Sequence, residues 1–112
     1  MDIATPAISA RDNAAPAYAI GHITVRDPVG WLEYCSKVPA TLAPFQGEVL
    51  LRGRTRDVFA GAYSQSQTVV LRFPDTDAAA SWHASAAYQS LVPLRDAAAD
   101  VVLVSYQGQE AA

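Results

Sequence analysis

His22, Arg52 and Arg72 are the residues of this sequence whose types suit joint chemistry on a small molecule. Each sits in a stretch that alternates, so strand geometry alone predicts all three on one face of a sheet. An imidazole with an ordinary pKa of about 6.5 can give or take a proton near neutrality. Two guanidinium groups can hold a carboxylate or an enolate oxygen through charge-assisted hydrogen bonds. An arginine buried without a partner is strongly destabilising, so each must meet a carboxylate, a carbonyl, water or an anionic ligand. Two readings follow. In one, the three residues line a pocket for a small carboxylate or carbonyl compound, with His22 as catalytic acid or base and Arg52 and Arg72 binding charge. In the other they are structural, paired with acids such as Glu48 or Glu33.

The remaining candidates are aromatic or lie at helical spacing. Trp82, Tyr88 and Tyr34 either stack on a substrate or fill the core. Arg95 either reaches the pocket, making it a further binding residue with Trp82 and Tyr88, or caps a sheet edge. His83 belongs to a pocket mouth or to the solvent face. Cys35 falls on the apolar stripe of a helix, where a thiol is packing. The two histidines lack the spacing of a ligand pair, so no metal site is expected. There is no glycine-rich phosphate loop and no Ser-His-Asp order, and no cofactor is expected.

The elements that must position these residues follow from periodicity. Tyr18 to Val25 alternates as a first strand, with Tyr18, Ile20 and His22 opposite Ala19, Gly21 and Ile23. Asp27-Pro28 makes an N-cap and first helical position for a helix over Val29 to Leu42, its stripe formed by Leu32, Cys35, Val38 and Leu42, with Trp31 and Tyr34 on the shoulder. Glu48 to Thr55 is the second strand, with Leu50, Arg52 and Arg54 opposite Val49, Leu51 and Gly53, and Gly61 to Gln67 is a hairpin loop. A third strand ends at Phe73-Pro74. A helix capped by Asp75 or Thr76 and a second piece capped by Ser85 follow, the latter interrupted at Pro93. Val101 to Tyr106 is the fourth strand. The order β-α-β-β-α-β gives an α+β, ferredoxin-like fold: a four-stranded antiparallel sheet with the helices on one face. Ala19, Gly21, Ile23, Val49, Leu51, Val69, Leu71 and Phe73 are expected beneath the helices. Tyr18, Ile20, His22, Leu50, Arg52, Val70 and Arg72 are expected on the open face, which needs a cover of its own.

The succession of a strand, F-P, D-A-A-A-x-W, S-x-x-Y-Q and P-L-R, with G-H-I-T-V-R-D-P, V-P-A-T-L-A-P-F and L-x-R-G before it, resembles the DUF1330 family. That family is a branch of the dimeric α+β barrel superfamily, and the resemblance covers roughly Ala17 to Tyr106. It implies a homodimer closed across the open sheet face, with an interior pocket for a small organic molecule. Arg95 resembles an arginine of the family. The chain departs from it at Ser85-Ala86-Ala87-Tyr88, where members commonly carry S-P-E-Y, and at His83, where they carry an aromatic residue. The wider superfamily includes cofactor-free monooxygenases, isomerases and lyases, which share architecture rather than reaction. A cofactor-independent enzyme and a non-catalytic small-molecule binding or stress-associated protein both remain open.

The composition sets the outer limits. A chain of 112 residues fits one domain, here expected over 17–107, with an N-terminal arm over 1–16 and a short tail over 108–112. With 51% hydrophobic and only 17% charged residues, the chain has more apolar surface than one small domain hides, which favours an oligomer. A net charge of −3 and the lack of any basic run speak against nucleic acid or an anionic membrane as partner. One cysteine excludes an internal disulfide. The first residues carry no secretory pattern and no apolar run is long enough to span a bilayer, so a cytoplasmic location is expected.

Overall fold

The computed structural model describes residues 15–109. Strand β1 (Ala17–Val25) is followed by helix α1 (Pro28–Leu42), a short 3-10 turn (Ala43–Phe45), β2 (Glu48–Arg54), β3 (Gln67–Phe73), helices α2 (Thr76–Ala84), α3 (Ala86–Gln89) and α4 (Val92–Ala98), and β4 (Ala99–Gln107). The sheet order is β2-β3-β1-β4, and every neighbouring pair is antiparallel. This is the ferredoxin-like arrangement expected from the alternating strands and helices. The first fourteen residues of the expected arm, and the last three of the expected tail, lie outside the described residues. The described ends meet: Gly108 N–H donates to Pro16 C=O at 2.7 Å. No helix among the described residues is long and apolar enough to cross a membrane.

Helix boundaries follow the capping residues. Asp27 accepts from Val29 N–H at 3.2 Å and Asp75 from Ala78 N–H at 2.8 Å, each satisfying a first-turn donor. Ser85 ends one helix and begins the next: its hydroxyl donates to Trp82 C=O at 2.7 Å and accepts from Tyr88 N–H at 3.2 Å. The helical piece after Ser85 is interrupted beside Pro93 as expected, between Gln89 and Val92, and Pro93 stands in the first turn of α4, where a missing N–H leaves no bond unmade.

The core lies between the helices and one sheet face. Ala17, Ala19 and Ile23 of β1, with Leu71 and Phe73 of β3, are buried against Val38, Leu42, Trp82 and Tyr88. Two expectations fail here. The buried stripe of α1 is Trp31, Tyr34, Val38, Thr41 and Leu42, whereas Leu32 points outward and is 70% exposed. Two large aromatics cover more sheet than one leucine, and they set the helix rotation. The second failure concerns β2. Val49 pairs with Leu71 but Leu51 pairs with Val70, so the strand carries one extra residue, a β-bulge at Leu50. Beyond it every side chain changes face. Leu51, expected in the core, is 51% exposed on the open face, and Arg52, which pairs with Val69, turns toward the helices.

Candidate functional site

The bulge separates the three residues expected together. His22 pairs with Thr68 and Arg72 with Tyr18, both on the open face, while Arg52 stands on the other side of the sheet. Even the two that share a face are four residues apart along the ladder, about 14 Å at roughly 3.4 Å per residue. His22 Nδ1 is 3.0 Å from the Tyr63 hydroxyl, which in turn is 3.3 Å from Thr68 Oγ1, so its neighbours are hydroxyls of the β2–β3 loop and β3. Glu48 is directly opposite Arg72 in the register, but among the described residues no ion pair joins the two side chains.

Arg52 instead marks the mouth of a slot beneath α1. A cavity of about 30 Å³ runs between the helix and the sheet, walled by Trp31, Tyr34, Val38 and Trp82 above and floored by Gly21 and Val69. That volume suits one or two waters or the end of a short carbon chain. Glycine at position 21 keeps the floor open: a Cβ there would lie 3.0 Å from Val69 Cγ1. Trp31, Cys35 and Arg52 line both this slot and an open cleft of about 930 Å³ that also includes Arg54 and Gln67. The slot and the cleft therefore meet at these three side chains. Arg52 Nη1 donates to Cys35 Sγ at 3.5 Å, a weak acceptor, and among the described residues no carboxylate comes within ion-pair distance of it.

The slot walls are fixed from behind by polar contacts. Trp82 Nε1 donates to Thr41 Oγ1 at 3.0 Å, and that hydroxyl donates to Val38 C=O at 2.7 Å. Tyr34 stacks on Trp31 with ring centres 5.0 Å apart, and its hydroxyl is 2.8 Å from that of Tyr88. Arg95 Nη1 donates to Tyr88 Oη at 3.1 Å while its Nε donates to Asp96 at 3.0 Å. Burial, then the neighbouring Tyr88, pushes the Tyr34 phenol far above its usual range, and burial likewise raises the Cys35 thiol despite Arg52 beside it. Both groups therefore stay protonated at neutral pH.

Of the sequence candidates, the structure thus brings Tyr34, Arg52 and Trp82 to one cavity. Tyr88 and Arg95 stand behind its wall, His22 and Arg72 lie across the sheet, and His83 is exposed on α2. Missed as site residues were Gly21, Trp31, Cys35 and Val38. Their signal was present in the 31, 34/35, 38 spacing of α1, which reads equally as plain core.

The family model described as "Domain of unknown function (DUF1330)" matches residues 16–109, nearly the whole chain. The chain belongs to the DUF1330 family. Solved structures share the fold at low identity. A protein of unknown function from Rhodopseudomonas palustris is 15% identical with a TM-score of 0.73, over 99% of this chain and 95% of that one. SnoaB from Streptomyces nogalater, a cofactor-independent oxygenase, is 14% identical with a TM-score of 0.64, over 88% and 97%. A dimeric ferredoxin-like protein of unknown function from Jannaschia sp. CCS1 is 13% identical with a TM-score of 0.66, over 83% and 99%. Such identities carry the fold of this DUF1330 chain and no reaction. No curated protein matches it.

Proposed function

We propose that this chain binds a small organic carboxylate or carbonyl compound, its short apolar end in the slot and its anionic oxygen on Arg52. One observation carries the reading. An aromatic-walled cavity opens at a guanidinium whose side-chain partner among the described residues is a neutral thiol. Few polar groups converging on an apolar pocket is the usual build of a small-molecule site. The binding is non-catalytic on this reading, because Tyr34 and Cys35 on the slot wall are held protonated and so offer no base there, and His22 stands on the opposite face of the sheet.

The chain's two tryptophans, Trp31 and Trp82, both line the slot, so their fluorescence reports occupancy directly. Titration with butyrate or benzoate should change the emission saturably, and butyramide at the same concentrations should not. An equal response to the amide removes Arg52 from the reading, and no response to either acid removes the reading itself. Steady conversion of the bound acid into a product would overturn its non-catalytic part.

A homodimer across the open sheet face belongs to the same proposal. Leu51, Val102 and Tyr106 are 51%, 52% and 45% exposed there, around the half-buried Ile20, Val70 and Val104. The bulge adds Leu51 to this patch, which is more apolar than a lone small domain leaves in water. The Jannaschia protein of the same fold is described as dimeric. His22 and Arg72 then belong to the paired face. Native mass spectrometry at micromolar concentration should give twice the chain mass, and a spectrum of monomer alone would contradict the pairing.

A further inference from the structure

The cleft outside the slot carries more positive charge than one carboxylate answers. Arg52 and Arg54 stand two residues apart on β2, beyond the bulge, so alternation puts both on the helix side of the sheet, paired with Val69 and Gln67. Both line the open cleft of about 930 Å³, whose other walls include Val25, Leu32 and Ser36, and none of the residues lining it is acidic. The acids nearby have partners of their own. Glu33 of α1 is taken by Lys37 at 3.2 Å, Asp57 by Arg56 at 3.5 Å, and Asp27 caps the helix. Among the described residues Arg54 has no ion pair and no side-chain hydrogen bond, and Arg52 has only the Cys35 thiol. Each guanidinium is a fixed positive charge, so a chain of net charge −3 keeps a cleft of the opposite sign, which draws in anions.

We propose that the ligand carries two carboxylates, one on Arg52 at the slot mouth and one on Arg54 farther out in the cleft, with a short apolar branch in the slot. This rests on the binding reading above and narrows its ligand class to branched dicarboxylates. Along the strand the two arginines start about 7 Å apart, at roughly 3.4 Å per residue. Two carboxylates joined by a short chain fit that separation. A compact dianion such as a phosphate monoester would need both side chains to lean onto one point, whereas Arg52 lies against Cys35 at the slot and Arg54 lines only open clefts. The second contact is the weaker one, because Arg54 is exposed and water screens it.

The test uses pairs of matched shape, 2-ethylsuccinate against 2-ethylbutyrate and 2-ethylglutarate against 2-ethylpentanoate, in which a methyl group replaces the second carboxylate. Tryptophan fluorescence of the full chain is the readout. In the wild type at low salt, at least one diacid should bind about three- to fivefold more tightly than its parent, the scale of an exposed ion pair. Salt at about 0.5 M should bring that ratio close to one. Arg54→Gln should do the same at low salt, while Arg52→Gln should weaken all four acids. Arg56→Gln removes an equal charge outside the cleft and should leave the ratio as it is. A ratio that is the same in wild type and Arg54→Gln, or that falls equally in Arg54→Gln and Arg56→Gln, overturns the second contact and leaves the binding reading standing. Butyl phosphate bound more tightly than either diacid overturns the dicarboxylate in favour of one compact dianion. Wild-type protein that binds none of the four acids overturns both readings.

Discussion

Trp82→Ala should lower the free energy of unfolding by about 3 to 5 kcal/mol, the range for removing a large aromatic from a packed core. Trp82 is 2% exposed and stands 4.2 Å from the Tyr88 ring and 5.4 Å from the Phe73 ring, centre to centre. Truncation leaves a void between α2 and the sheet that these rings can only partly close. It also strips the buried Thr41 hydroxyl of the indole N–H it accepts from. Denaturant unfolding of the two proteins measures the difference. A change under about 1 kcal/mol would mean that the helices are not anchored through this residue. Sequence alone offers Trp82 as either core or ligand platform. In the structure it belongs to the core and also walls the slot.

Arg52→Ala should weaken carboxylate binding by about 10- to 100-fold, the equivalent of about 1.5 to 3 kcal/mol for a hydrogen bond to a charged group. Its effect on stability should stay within about 0.5 kcal/mol, because the residue is exposed and its side-chain contact is a weak one to Cys35. Arg72→Ala and His22→Gln serve as contrasts. Both residues lie on the opposite sheet face, so butyrate affinity should be unaltered in either. Fluorescence titration of the three variants separates the possibilities. Equal losses in Arg52→Ala and Arg72→Ala would mean that the charged residues act on one ligand across the open face after all.

How far the sequence leads depends on what each signal encodes. The alternation of β1 places Ala19, Gly21 and Ile23 inward correctly, because nothing in that strand breaks period two. Asp27, Asp75 and Ser85 mark helix ends because their short side chains have a local task, and the caps form where expected. The bulge in Glu48–Arg54 escapes notice because no glycine or proline marks it at Leu50; pairing with β3 creates it, and pairing is a long-range property. That one extra residue moves Arg52 from the face of His22 to the slot. The rotation of α1 is missed for a related reason: Leu32 and Trp31 are adjacent, and only packing against the sheet selects the larger one. The Tyr34–Tyr88 contact joins residues 54 apart, beyond any local pattern.

A crystal structure of the chain with bound butyrate tests the site most directly. The carboxylate should lie about 3 Å from the Arg52 guanidinium, as charge-assisted hydrogen bonds require. The carbon chain should lie between Trp31 and Trp82. Density for the acid on the other side of the sheet, beside His22 and Arg72, would contradict the assignment and return the site to the face where alternation alone had placed it.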